Sequence, residues 1–367
     1  MLSEKYKKQL EHQGYSIVGD HSAVKTCGWT KSMIRGHGGC YKLTFYGIMS
    51  HQCMQMSTSL SCANRCTFCW RGYKAPVSKG WKWKTDDPVF IVNESKKAHH
   101  KQLTGFGGSQ SARKALYKGS KTIKHVALSL TGEPLQYPRM NESIDEFHRQ
   151  GISTFLVTNA QFPEELEQLK PVTQLYLSID APNEQLLKIV DVPLFSDFWQ
   201  RQQACLDILA KKPSRTTIRL TIIKGINDTD LPGYASLINR GDPDFIEVKG
   251  YMHIGESQLR LERKHMPMHE EVVAFSQALE KYLPEYELVT EHVPSSVVLF
   301  AKKRFKKNGE WYTWIDFDKF FTLAQESTPP NADDYIRKTP KVGFSGKTTQ
   351  DYFQTVIKRK ELQKKKN

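Results

Sequence analysis

The sequence predicts an α/β fold: a partial (β/α)6 TIM-type barrel with a Cys-rich N-terminal segment and a C-terminal antiparallel, aromatic extension. Three observations predict it. Apolar β-runs alternate with helical patterns through residues 57–284, and such alternation gives right-handed parallel crossovers. The chemically suggestive motifs fall at the C-terminal ends of those runs, where barrels keep their active sites. Past residue 284 the pattern changes to two β-runs close in sequence. The expected units are therefore residues 1–56, 57–284, 285–330 packed back on the barrel, and a basic, partly disordered tail at 331–367.

Residues 4–12 read as a short helix, and a first strand leads into Ser59-Leu60. Five further strands are expected at 125–130, 153–158, 175–179, 217–223 and 245–249. Helical patterns near 141–150, 164–170, 183–190, 197–211, 230–240 and 268–283 separate them. Residues 286–290 and 297–301 suggest an antiparallel pair, and Trp311–Phe317 an aromatic segment.

The 367 residues suffice for one large domain or two ordinary ones. No stretch is long and apolar enough to span a bilayer, and the first residues lack an apolar signal region. A cytoplasmic protein without a membrane partner is expected. Seven cysteines are too few for a disulfide scaffold in a chain this long and point to metal or catalysis. The net charge of +14 favours a polyanionic partner, because each Lys or Arg that meets a phosphate releases counterions. Basic residues are densest at 302–307 and in Lys358, Arg359, Lys360 and Lys364–Lys366; a solvated surface reads equally well for the tail.

Cys62, Cys66 and Cys69 form a CxxxCxxC loop after the first strand. Three thiolates suit an iron–sulfur cluster that keeps one iron open to a second molecule. A zinc knot is the alternative, with nearby His51 as a fourth ligand, although structural zinc usually takes CxxC pairs. Cys27, Cys40 and Cys53, 13 residues apart each time, offer three more thiolates in a Gly-rich polar stretch. They suit a second cluster, or else are buried free thiols. All six sulfur atoms are expected at the barrel mouth. Lys42 follows Cys40 by two residues; desolvated there, it could form a Schiff base with a carbonyl substrate, whereas most lysines are surface charges. Gly105–Ser109 could cradle phosphate but lacks a Walker ending. Trp70, Trp81 and Trp83, interleaved with Arg71, Lys74, Lys79, Lys82 and Lys84, offer base stacking or an apolar lid over the cluster. Cys205 reads as core.

The CxxxCxxC spacing resembles the radical S-adenosylmethionine superfamily, whose cofactor fills the open iron. There, a stretch matching Gly132-Glu133 binds the cofactor's amino group, and Asn159 and Ser178 are placed to hold its ribose or carboxylate. The combination of Gly38–Lys42, Phe45–Ile48, Ser50–Cys53, Cys62–Gly72, Ala127–Pro134, Ser178–Pro182 and Glu247–Met252 resembles the tRNA 4-demethylwyosine synthase family. The match covers most of residues 25–320, and the chain looks like the single-domain archaeal form, without the flavodoxin-like domain of eukaryotic relatives.

The resemblance implies the reaction. Pyruvate and N1-methylguanosine-37 of tRNA-Phe become the tricyclic base 4-demethylwyosine. A 4Fe–4S cluster on Cys62, Cys66 and Cys69 cleaves S-adenosylmethionine, and the resulting radical takes a hydrogen from the guanine N-methyl group. A second 4Fe–4S cluster on Cys27, Cys40 and Cys53 chelates pyruvate, and Lys42 is the Schiff-base former. A small electron donor such as flavodoxin or ferredoxin and a monomeric state are also expected. A glycyl-radical activating enzyme and a non-catalytic, metal-stabilised RNA-binding protein are the competing readings.

Overall fold

Six parallel strands alternate with helices, and five of them are short runs that carry β-branched or aromatic residues. The structure, a computed structural model, describes residues 2–72, 74–325 and 329–364. Lys365 and Lys366 of the expected basic tail, and residues 326–328 of the expected extension, lie outside the described residues.

The strands are β1 (Ser16–Val18), β2 (Ser22–Val24), β3 (Cys53–Ser57), β4 (His125–Leu128), β5 (Ser153–Thr158), β6 (Gln174–Ser178), β7 (Thr216–Ile222), β8 (Phe245–Gly250), β9 (Tyr286–His292) and β10 (Val297–Lys302). They make one sheet in the order β1-β2-β3-β4-β5-β6-β7-β8-β10-β9. Strands β3 to β8 are parallel. An antiparallel β1–β2 hairpin extends one edge, and the β9–β10 pair extends the other.

The helices are α1 (Glu4–His12), α2 (Gly28–Ile34), α3 (Tyr41–Tyr46), α4 (Pro88–Leu103), α5 (Lys114–Gly119), α6 (Met140–Arg149), α7 (Pro163–Glu167), α8 (Glu184–Asp191), α9 (Phe198–Leu209), α10 (Leu231–Gly241), α11 (His269–Glu280), α12 (Phe317–Leu323) and α13 (Thr349–Lys364). Helix α4 escaped the sequence reading, although Asp87 caps it by accepting from Val89 and Phe90 N–H and Pro88 opens it.

Every position of β5 is buried, because helices cover the outer face of the sheet and side chains fill the barrel. Leu156, Leu177, Leu220 and Val248 belong to the outer core, with Phe147, Leu206 and Ile238 of α6, α9 and α10. Phe155, Tyr176 and Phe245 belong to an inner core with Phe45 and Tyr46 of α3 and Trp311, Ile315 and Phe320 of the C-terminal extension.

The extension clamps the Cys-rich segment as well as the barrel. Thr313 Oγ1 donates to Phe45 O at 2.6 Å, and Trp314 Nε1 donates to Thr44 O at 2.9 Å. A side chain at Gly47 (φ +79°) would strike the Trp314 ring at 2.9 Å. The polar C-terminal stretch is helical over α13, held by side chains remote in sequence. Thr349 Oγ1 accepts from His269 N–H at 2.7 Å, and Asp351 caps the helix start through Thr348. Among the described residues no helix is long and apolar enough to cross a membrane.

Two expectations change. The first barrel strand is Cys53–Ser57, earlier than the run into Ser59-Leu60, so Cys53 begins β3. Cys62 lies beyond its other end, and five strand residues span about 16 Å. The six cysteines therefore occupy both ends of one strand and do not share the barrel mouth.

Candidate functional site: two thiol groups around one barrel

The CxxxCxxC loop leaves β3 and folds against α8: Thr67 N–H donates to Val190 O at 2.8 Å and Arg65 N–H to Asp191 O at 3.0 Å. Two arginines brace its backbone. Arg71 donates to Leu60 O, Asn64 O and Pro76 O, and Arg260 donates to Thr67 O and Cys69 O. Burial pushes the Cys62 thiol up to about 11 and the Cys66 thiol well above its ordinary value, with Asp191 adding to the rise at Cys66. Burial works against the charge of Arg71, yet Cys62 and Cys69 hold its pKa above the usual arginine value. Cys62 Sγ accepts hydrogen bonds from Asn64 N–H at 3.4 Å and from Asn159 Nδ2 at 3.3 Å. The loop thus offers three thiols, two bracing cations and amide donors on sulfur.

Gly132 and Glu133 lie directly against this loop. Glu133 N–H donates to Ser61 O at 2.7 Å. Gly132 has φ +73°, and a Cβ there would sit 2.0 Å from Ser59 O, so the close approach requires glycine. Glu133 is fully buried; its carboxylate accepts from Leu135 N–H at 3.1 Å and Asn159 N–H at 2.8 Å, tying the ends of β4 and β5 together. Burial raises its pKa to about 7. Asn159 reaches the Cys62 sulfur, so it belongs to the thiol group itself. Ser178 Oγ accepts from Arg219 Nη2 at 3.3 Å.

Cys27 and Cys40 immediately precede α2 and α3, and Cys53 opens β3. Burial raises the Cys27 and Cys53 thiols, the latter to about 12; Cys40 adds to both rises, and Lys42 opposes them. Ser50 Oγ accepts from Cys40 N–H at 2.9 Å and donates to Cys40 Sγ at 3.4 Å. The three upstream thiols and Lys42 therefore share one neighbourhood. Lys42 is buried, its Nζ 4.9 Å from the Tyr176 ring centre and 5.5 Å from that of Phe155. Glu247 faces it inside the barrel and accepts from Tyr46 OH at 2.9 Å. Burial raises the Glu247 pKa, opposed by Lys42 and Arg219.

Lys249, two residues on, donates to Ser295 O at 2.7 Å, and burial together with Arg219 lowers its pKa to about 8. Among the described residues no three His, Cys, Asp or Glu form a set suited to a single metal ion. His51 packs on Met33 Sδ at 3.3 Å and is not part of the CxxxCxxC loop.

Residues 56–238 match the radical SAM superfamily model, and residues 240–302 match the model for wyosine base formation. The human S-adenosyl-L-methionine-dependent tRNA 4-demethylwyosine synthase TYW1 is 47% identical over 353 residues, which are 94% of this chain and 48% of that protein. The Oryza sativa subsp. japonica enzyme is 49% identical over 349 residues, 94% of this chain and 53% of its own. A structure described as TYW1 with a lysine-pyruvate adduct bound aligns at TM-score 0.75 and 34% identity, over 84% of this chain and 99% of that one. The chain belongs to the tRNA 4-demethylwyosine synthase family. A crystal structure of archaeal TYW1 aligns at TM-score 0.69 and 32% identity, over 84% and 99%. Identity is higher to the human and rice relatives than to the archaeal structure. The chain spans about half the length of the curated relatives it matches.

Membership in this radical SAM family implies S-adenosylmethionine and a 4Fe–4S cluster. The residues present fit both. The CxxxCxxC loop supplies the sulfur donors, and its arginines and Sγ-directed amides suit an anionic cluster. Buried polar atoms without partners gather at the neighbouring strand ends: Thr58 Oγ1, Ser61 Oγ, Asn64 Oδ1, Thr131 Oγ1 and Gln161 Oε1.

Sequence reading missed Arg71 and Arg260 as braces, and Arg219 and Glu247 inside the barrel. A charged residue flanked by β-branched and apolar residues inside a strand, Ile218-Arg219-Leu220 and Ile246-Glu247-Val248, was the available signal for the last two. The tryptophans pack while staying half-buried: Trp81 sits 4.6 Å from His21 and 5.5 Å from Tyr137, and Trp70 sits 6.3 Å from Tyr15. Gly105–Ser109 is a surface turn whose Phe106 lies under Arg35. Cys205 is fully buried in the core.

Proposed function

We propose that this chain converts N1-methylguanosine-37 of tRNA-Phe and pyruvate to 4-demethylwyosine. The observation that carries the reading is the pair of thiol groups at the two ends of β3, with buried Lys42 beside the second. Cys62, Cys66 and Cys69 would hold the cluster that works with S-adenosylmethionine. Gly132, Glu133, Asn159 and Ser178 would line the cofactor's seat, with the Glu133 carboxylate suited to an ammonium group. Cys27, Cys40 and Cys53 would hold a second 4Fe–4S cluster. When bound, these groups supply a carbon radical able to take hydrogen from a methyl group that no base can deprotonate.

The chain's own residues do the rest. Lys42 Nζ, as a free amine, adds to the keto carbon of pyruvate; a C=N bond forms and water leaves. Glu247 faces that amine and can take its ammonium proton, and the Tyr46 hydroxyl fixes the carboxylate. Arg219 and Lys249 supply positive charge for the pyruvate carboxylate. The inner core of Phe155, Tyr176 and Phe245 keeps water from the amine. A small electron donor such as flavodoxin or ferredoxin completes the system, and the chain acts as a monomer.

The test is anaerobic incubation of reconstituted protein with methylated tRNA-Phe, pyruvate, S-adenosylmethionine and reductant, followed by nucleoside mass analysis. The tricyclic base is expected; an unchanged methylguanosine alongside cofactor cleavage would refute the substrate assignment. Borohydride reduction with labelled pyruvate should attach label to the wild-type chain and not to Lys42→Arg.

A further inference from the structure

A groove of about 770 Å³ lies where the α2–α3 segment meets the turn between β9 and β10, residues 341–347 and α13. It is separate from the CxxxCxxC loop, and it borders the Lys42 chamber. Gly38 and Gly39 in its wall lead into Cys40, and Leu43 and Thr44 follow Lys42. Val293 and Pro294 line it just before Ser295, whose carbonyl holds Lys249.

The walls are cationic. Arg35, Lys341 and Lys347 are exposed. The carboxylate in the lining, Glu291, is committed elsewhere: it accepts from Ser345 N–H and Oγ at 2.6 Å each and lies 2.9 Å from His269 Nε2. Three aromatic rings stand among the cations: Trp29, Phe344 and Tyr352. Trp29 is set edge-on against His292, with ring centres 5.2 Å apart.

The strap that carries the two lysines is fixed in place. Thr339 N–H donates to Trp311 O and Gly343 N–H to Val289 O, each at 2.8 Å. Thr349 beyond it is bonded to His269 and Glu270. Cations interleaved with rings on a fixed scaffold match an unpaired polynucleotide, whose phosphates need charge and whose bases need flat apolar faces. An acidic peptide would use the charge and leave the rings without a partner.

We infer that this groove seats the unpaired RNA strand flanking the target base, with Arg35, Lys341 and Lys347 on phosphates and Trp29, Phe344 and Tyr352 available to stack on bases. The inference rests on the RNA-modifying function proposed above and adds where the RNA lies. It gives residues 339–348 the role of a preformed clamp.

The test is the salt dependence of binding of N1-methylguanosine-containing tRNA-Phe to the full chain and to Lys341→Gln/Lys347→Gln. Each lost phosphate contact on a single strand flattens the slope of log K against log salt by about 0.7, so the double variant should lose about 1.4. Both lysines are exposed, and an unchanged melting temperature verifies that the variant folds. Lys211→Gln, just beyond α9 and outside the groove, should keep the wild-type slope. A wild-type slope in the double variant, or an equal loss in Lys211→Gln, overturns the groove assignment while leaving the proposed function standing. Wild-type protein that binds no tRNA overturns both.

Discussion

Replacing Gly132 with alanine tests how the cofactor end of the barrel is built. The new Cβ would stand 2.0 Å from Ser59 O, 2.8 Å from Ser61 O and 3.0 Å from the Leu60 carbonyl carbon, all backbone atoms with no side-chain freedom to yield. An ordinary contact requires the turn to retreat by more than about 1 Å, because van der Waals contact for a Cβ begins at 3.4 Å. That retreat breaks the 2.7 Å hydrogen bond from Glu133 N–H to Ser61 O, worth about 1 kcal/mol. The left-handed backbone at φ +73° costs alanine about 1–2 kcal/mol more, and the overpacking about 1–3 kcal/mol. The sum is about 3–6 kcal/mol, a large share of the 5–15 kcal/mol typical of a folded domain. Urea unfolding of the metal-free chain measures this loss, and titration of the cluster-loaded protein with S-adenosylmethionine measures the damage to the seat. Gly108→Ala, where the new Cβ meets nothing within 4 Å, should stay within about 0.5 kcal/mol of wild type. A loss below about 1 kcal/mol for Gly132→Ala, or unchanged cofactor affinity, would refute the close-approach argument.

Two further outcomes follow from the site. Lys249 carries a pKa near 8, against 10.5 unfolded, so between those values the unfolded chain holds a proton that the folded chain has released. Stability relative to Lys249→Met should therefore rise from pH 8 to 10, by about 2 kcal/mol, in urea titrations; a constant difference would mean the amine is solvated. Asn159→Ala removes an amide donor from Cys62 Sγ and should lower the first cluster's reduction potential by about 50–100 mV in a redox titration followed by electron paramagnetic resonance. An unmoved potential would show that this contact does not reach the cluster.

The barrel was legible because its strands repeat a local pattern. The β5 run Ser153–Thr158 stands as read, and β6 to β8 shift by about one residue, since buried parallel strands are nearly continuous apolar runs. The β1–β2 hairpin was not legible: each strand has three residues, and its stability comes from pairing with β3. The position of β3 was misjudged because CMQMS carries neither a β-branched residue nor a Phe, Tyr or Trp, at least one of which stands in each of the other five parallel strands. The basic run at 302–307 read as a local density of positive charge, and three of its members, Lys302, Arg304 and Lys306, are paired with Asp242, Asp244 and Glu287. Those partners lie 19 to 60 residues away, beyond any local window. In the site, thiol spacing and the Gly132 turn were readable from sequence. The inward charges Arg219 and Glu247 were not, because their meaning depends on which strand face closes on Lys42.

The division of labour between the two thiol groups is tested most directly by paired cysteine variants. Cys66→Ala should abolish S-adenosylmethionine cleavage, and Cys40→Ala should leave cleavage measurable while formation of the tricyclic base stops. Equal loss of both activities in Cys40→Ala would contradict two groups with separate tasks.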